Sequence, residues 1–240
     1  VRNDRYVNDE APQKHAVVTG ASAGIGRAIA EFLLQAGWRV TGVDRTAPTL
    51  ESEHFRSVTA DLGIGAEVES IASQLLDADA LVHAAGMLRV GRIGALDRHA
   101  AELMWRLHVD AASILCNAIL PAMVDRRDGR VVFIGSRVAQ GMPGRGQYAA
   151  TKAALIALSR SWAAEVAAQG VTVNVVSPAA TATGMVNDPA RSASSAQLPP
   201  IGRLIEPGEI AQLVGYLLSP AAAAITGQDI SICGGASLQR

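Results

Sequence analysis

Cysteine, aromatic residues and long apolar runs are scarce in this chain, and each scarcity removes a class of function. The two cysteines in 240 residues, Cys116 and Cys233, lie far apart and outside any Cys-x-x-Cys or Cys/His cluster. A disulfide framework and a thiolate metal centre are therefore not expected, and both read as small buried hydrophobes. The five histidines are equally scattered, so no metal is expected. No segment approaches the ~18 consecutive apolar residues of a membrane span, and residues 1–14 are polar and charged, unlike a signal peptide. A cytoplasmic protein without a membrane partner is expected. Twenty-one basic residues face 22 acidic ones, with no basic block, so nucleic acid is not an expected partner. Aromatics make up 4% of the chain against 49% hydrophobic residues. The core falls to Ala, Val, Ile and Leu, which suits buried parallel strands under Ala-rich helices.

Short Val-rich runs alternate with helical patterns. Strands are expected at 15–19, 39–43, 56–59, 80–83, 130–134, 171–176 and 229–232, and helices at 25–35, 66–76, 100–123, 147–168 and 207–218. Seven strands separated mostly by helices require right-handed crossovers. The expected fold is α/β, a doubly wound Rossmann-type parallel sheet with helices on both faces. The chain divides into an N-terminal extension, 1–14, and one dinucleotide-binding catalytic domain, 15–240. Two irregular segments, 136–146 and 179–203, follow strands, where ligands bind in this architecture. Residues 184–203 are expected to form a substrate loop or lid.

Directly after the first strand comes Thr-Gly-Ala-Ser-Ala-Gly-Ile-Gly, residues 19–26. Glycine is needed where backbone turns tightly against a pyrophosphate whose charge meets amide N–H groups at a helix N-terminus. Gly20, Ser22, Gly24, Ile25 and Gly26 are thus candidate cofactor contacts. Asp44 ends the second strand, 20 residues beyond Gly24, where a carboxylate accepts from ribose hydroxyls and repels a 2′-phosphate. NAD is expected over NADP, with Arg45 the residue that would stack on adenine or reach a 2′-phosphate. Asp61 and Leu62 after the third strand, and Ala84, Ala85 and Gly86 after the fourth, are further candidates for the adenine and ribose. The bland readings of Asp61 and Gly86 are a helix cap and a turn.

Tyr148 and Lys152 stand four apart on a predicted helix, on one face. A cation beside a phenol that titrates near ~10 favours the phenolate and makes it usable as a general acid/base. With residues 19–26, Asp61, Ala84 to Gly86, Ser136, Tyr148 and Lys152 in this order, the chain resembles the short-chain dehydrogenase/reductase family. The resemblance extends through Asn-Val-Val-Ser-Pro at 174–178, the stretch 200–210, Ile-Thr-Gly-Gln at 225–228 and Gly234-Gly235. It covers nearly all of residues 14–235. It implies that Tyr148 is the acid/base, that Lys152 holds the nicotinamide ribose and lowers the tyrosine pKa, and that Ser136 bonds the substrate oxygen. Thr183 would contact the nicotinamide or pyrophosphate side, and Ala180 or Thr181 the carboxamide.

Four positions depart from the family pattern. Val109-Asp110 stands where the family has Asn in the long helix, making Asp110 the fourth expected catalytic residue. Ser136 precedes Tyr148 by 12 residues, one fewer than the family's spacing of about 13. His83 replaces the first Asn of the family's Asn-Asn-Ala-Gly, and Ala179 the Gly after Pro178. The expected function is NAD-dependent interconversion of a secondary alcohol and a ketone. Met-Leu-Arg-Val-Gly at 87–91 and Val-Thr-Gly-Val-Asp at 40–44 are similar to dihydro-dihydroxybenzoate dehydrogenases, which implies a cyclic diol. Arg89 and Arg137 are candidates for pairing a substrate carboxylate, while Met142 and Pro143 would shape the substrate. The alternative is a dinucleotide-binding sensor or scaffold weakened at Asp110. A homotetramer is expected from the small residues of the two longest helices, which form the main interface in the family.

Overall fold

Why the Val-rich runs form a sheet, and why it lies in the interior, is visible strand by strand. A computed structural model of the chain describes residues 13–47, 50–187 and 197–238. Most of the expected N-terminal extension, 1–12, and the middle of the expected lid, 188–196, lie outside the described residues. The strands are β1 (His15–Thr19), β2 (Arg39–Asp44), β3 (Phe55–Thr59), β4 (Ala80–His83), β5 (Gly129–Ile134), β6 (Val171–Pro178) and β7 (Asp229–Ile232). Their order is β3-β2-β1-β4-β5-β6-β7, and every pairing is parallel. β1, β4, β5 and β6 are buried along their whole length, as expected of strands covered on both faces.

The helices are α1 (Gly24–Gln35), α2 (Gly65–Ala72), α3 (Arg98–Trp105), α4 (Ala111–Arg126), α5 (Gly146–Val166) and α6 (Pro207–Leu218). One face of the sheet packs Ile29, Leu33, Ile210 and Val214 of α1 and α6 against Val18, Val82 and Val132. The other packs Val68, Leu115, Ile119 and Leu155 of α2, α4 and α5 against Val17, Leu81 and Val131. Alternate residues of each strand thus feed opposite layers, the period-two rule of a strand. The segment Arg98–Arg126 is long and apolar enough to cross a membrane. Its Leu115, Ile119, Leu120 and Met123 lie in the core instead.

The expected elements are present with their ends moved by a few residues, as helix ends fray. The expected helix 66–76 ends at Ala72, and 147–168 ends at Val166 before a 3-10 turn, Ala167–Gln169. A real difference lies in the expected helix 100–123. It is interrupted by a π-helical turn, Arg106–Asp110, in which the Ala111 N–H reaches back five residues to the Arg106 carbonyl. Such wide turns concentrate at functional sites.

The strand order reverses direction at β1, between β2 and β4, so a crevice opens at the C-terminal ends of these strands. Two glycines there are sterically required. A Cβ on Gly26 would lie 2.2 Å from the Gly20 carbonyl oxygen. Gly20 itself has φ +71, and a Cβ there would lie 2.9 Å from Ala85. Gly26→Ala must therefore open the turn, and it is expected to lower stability by about 1–3 kcal/mol and weaken dinucleotide binding at least ~10-fold. Thermal unfolding and a cofactor fluorescence titration of the variant check both effects.

Candidate active site

The C-terminal ends of β1, β2, β4, β5 and β6 border one open cleft of about 1470 Å³. It gathers Gly20, Ser22, Gly24, Ile25, Gly26, Asp44, Asp61, Leu62, Ala84, Ala85 and Gly86 with Ser136, Tyr148, Lys152, Thr181 and Thr183. Met142 and Pro143 line it too, as do Met185, Val186, Leu198 and Pro200 of the expected lid. Asp110 is absent from this wall. It is exposed and borders a separate hollow with Ile64 and Ser113, so the expectation of a fourth catalytic residue at Asp110 is corrected.

At the β1 end, Ala23 precedes α1 and offers no side-chain cap. The first N–H groups of α1 have no intrahelical acceptors, so an uncapped, Gly-walled N-terminus faces the cleft. That environment fits a pyrophosphate. Asp44 is held rigidly at the end of β2: its Oδ2 accepts from the Ser22 hydroxyl at 2.6 Å and the Ser22 N–H at 3.2 Å. Its Oδ1 accepts from the Thr46 N–H at 3.2 Å. A carboxylate so placed is an acceptor for ribose hydroxyls and a repulsive neighbour for a 2′-phosphate. The Oδ1 of Asp61 accepts from the Gly63 N–H at 2.8 Å, the turn-closing role, while its residue still borders the cleft. Thr181 is buried and donates to the Ala179 carbonyl, and the Thr183 side chain lies against Gly24. Among the described residues no cluster could hold a metal ion.

At the β5 end, Ser136 is buried and heads a 3-10 turn, Arg137–Gln140. Its Oγ accepts from the Val138 N–H at 3.2 Å, which leaves its own proton for another acceptor. Between Ser136 and Tyr148 the chain makes this tight turn and passes through Gly141 and Gly144, both at positive φ. Tyr148 and Lys152 lie in the first two turns of α5 and are both buried. The Lys152 Nζ donates to the Ile134 carbonyl at 2.8 Å and lies 5.8 Å from the Tyr148 ring centroid. Burial pushes the Lys152 amine down to about 7, because desolvation penalises its charged form.

Two histidines complete this end. The widened π turn aims His108 inward, fully buried, 5.7 Å from Tyr148 ring to ring. The Met87 N–H can only donate, so the His108 Nε2 that it meets at 3.0 Å is the acceptor. The proton therefore sits on Nδ1 and is donated to Thr151 Oγ1 at 2.8 Å. The Thr151 hydroxyl in turn donates a hydrogen bond to the Tyr148 backbone carbonyl. His83 has the opposite tautomer. Its Nε2–H donates to the Leu107 carbonyl, and its Nδ1 accepts from the Thr19 hydroxyl. Thr19 in turn accepts the Ala84 and Ala85 N–H groups. These assignments follow from donor and acceptor matching. Burial first, then the Lys152 charge, holds His108 well below the ordinary imidazole range and pushes His83 down to about 3. A lone His in an apolar helix reads as a packing residue, and only the π turn brings His108 against the Tyr148 ring.

A model of the family described as Enoyl-(Acyl carrier protein) reductase matches residues 20–237. The 3-oxoacyl-[acyl-carrier-protein] reductase FabG of Vibrio cholerae is 37% identical over 236 residues, covering 92% of this chain and 96% of that protein. A solved short chain dehydrogenase/reductase family protein superposes with a TM-score of 0.87 at 35% identity, covering 94% of this chain and 98% of the other. This chain belongs to the short-chain dehydrogenase/reductase family. Actinorhodin polyketide ketoreductase, a family fold solved with NADPH, is similar at a TM-score of 0.84 and 26% identity, covering 95% and 98% of the two chains. Members of the short-chain dehydrogenase/reductase family are oxidoreductases that bind a nicotinamide dinucleotide, and this chain is such an enzyme.

The histidine pair sets an acid limit. Each imidazole has a folded pKa below its unfolded value, so the folded state binds fewer protons and stability falls as pH drops below about 6.5. Thermal unfolding between pH 7 and pH 4 is expected to show this loss, and His108→Asn, which keeps a donor and an acceptor but does not titrate, is expected to flatten it.

Proposed function

We propose that the protein is an NAD-dependent oxidoreductase that interconverts a secondary alcohol and a ketone. The observation that carries this reading is the convergence of Ser136, Tyr148 and Lys152 at the β5 end of a cleft whose other end is walled by the α1 N-terminus and Asp44. A nicotinamide bound there would supply or accept hydride. The chain's own groups handle the oxygen and its proton.

In the oxidative direction, Tyr148 Oη takes the hydroxyl proton as the carbinol carbon loses hydride, and in reduction it returns that proton. The free Ser136 proton is donated to the same oxygen, so negative charge developing there meets two preset donors. The Lys152 ammonium offsets charge on the tyrosine oxygen while it is ionised, and the Ile134 carbonyl fixes where that ammonium sits. His108 and His83 remain neutral and only position, since each acceptor nitrogen is already occupied.

The rigid Asp44 favours NAD. The ketoreductase solved with NADPH and the adjacent Arg45, which also lines the cleft, pull the other way, and Asp44 outweighs Arg45 because its carboxylate is fixed by three hydrogen bonds. A cyclic diol such as a dihydrodiol falls within the proposed substrate class. The sensor or scaffold reading rested on Asp110, and it loses that ground now that Asp110 lies outside the cleft. The proposed assembly is a cytoplasmic homotetramer, supported by exposed Ala153, Ala157, Ser161 and Ala164 along one stripe of α5, small enough for close helix packing. Light scattering in solution checks the mass.

Tyr148→Phe is expected to keep cofactor affinity and lower kcat by about 10²–10⁴-fold, measured as NADH formation from a panel of alicyclic alcohols and diols. In the same titration NADH is expected to bind more tightly than NADPH, and Asp44→Ser to reverse that order. An unchanged order in Asp44→Ser removes the basis for NAD.

A further inference from the structure

Beside the reacting groups, the cleft wall carries a cation that the hydride chemistry does not use. Arg137 directly follows Ser136 and opens the 3-10 turn, so the two Cα atoms are about 3.8 Å apart. It lines the same cleft as Ser136, Tyr148 and Lys152. Its Nε is fully buried and has no hydrogen-bond partner. A buried donor without an acceptor is costly, more so on a charged group. Arg137 as a residue is only half-buried and borders the cleft, so turning its guanidinium toward an acceptor brought by a ligand there would relieve the orphaned Nε.

The surroundings specify that acceptor. The carboxylates bordering the cleft, among the described residues, are Asp44 and Asp61. Both lie at the β2 and β3 end and already accept hydrogen bonds. Arg89 and Arg145 line the cleft as well, but both already have partners. The cleft lining also includes apolar Leu88, Val138 and Met142, and apolar surroundings strengthen an ion pair. Guanidinium Nε and Nη groups form a planar fork that matches the two oxygens of a carboxylate.

We infer that Arg137 binds a carboxylate on the substrate, so that the alcohol oxidised is a hydroxy carboxylate and its product an oxo carboxylate. The inference rests on the oxidoreductase reading above and narrows it. In the oxidation the carbinol C–H pair leaves as hydride to the oxidised nicotinamide, the O–H proton goes to ionised Tyr148, and the carbon–oxygen bond becomes a carbonyl. The carboxylate stays unchanged on Arg137. A neutral ester of the same skeleton has no charge to offer this fork.

The test uses the full chain with a series of α-, β- and γ-hydroxy carboxylates and their methyl esters. Initial rates follow reduced cofactor, and binding of each compound to the enzyme–cofactor complex is measured by calorimetry. Arg137→Gln is expected to raise KM for the acids about 10- to 100-fold with kcat little changed, leave the esters unaffected, and erase the acid preference; Arg137→Lys should restore part of it. Wild-type preference for esters, or equal loss on acids and esters in Arg137→Gln, overturns the carboxylate site while the oxidoreductase reading stands. Acids that bind in an Arg137-dependent way without turnover uphold the site and count against that reading. Absence of both binding and turnover across the acids overturns the site.

Discussion

A buried ammonium organises the chemical end of this molecule. Lys152 is almost wholly enclosed and its Nζ meets the Ile134 carbonyl at the end of β5. Burial pushes its amine down to about 7, because desolvation penalises the charged form. The two imidazoles beside it are held neutral by burial first and then by the Lys152 charge, and each has its acceptor nitrogen filled, by the Met87 N–H in one case and the Thr19 hydroxyl in the other. One local charge is thereby kept available to Tyr148, in a setting where low dielectric makes it count.

That arrangement depends on the widened turn at Arg106–Asp110. A regular α-helix through these residues would move every later side chain by about 100° around the axis per residue of offset. With the extra residue accommodated, His108 is buried against the Tyr148 ring and Asp110 faces outward. The His83–Leu107 hydrogen bond ties the turn to β4, and the His108–Met87 bond ties it to the loop after β4. Strand, loop and helix are therefore braced as one unit around Gly86, where a Cβ would come 3.2 Å from the His108 ring and 3.6 Å from Lys152 Nζ.

Much of this was legible beforehand. Val-rich strands buried on both faces produce short continuous apolar runs, and all seven were recognisable with ends shifted by one or two residues at most of them. The Gly-rich turn, Asp44, Ser136, Tyr148 and Lys152 were legible because local spacing dictates their position: a turn after a strand, a strand end, two residues four apart on a helix. His108 was not, and Asp110 was put in its place, because a π turn leaves no clear mark in hydrophobic periodicity. The donor and acceptor roles of His83 also depend on Leu107 and Thr19, which are 24 and 64 residues away.

By itself the sequence determined the parallel α/β architecture, the cofactor end and the Tyr148–Lys152 pair, since these follow from periodicity and short-range geometry. Only the tertiary structure decided which residue of the 106–110 segment packs against Tyr148, which tautomer each histidine holds, and that the Arg137 Nε is buried without an acceptor. Those properties depend on burial and on hydrogen-bond partners from separate strands and helices. They exist only once the sheet has brought those partners together.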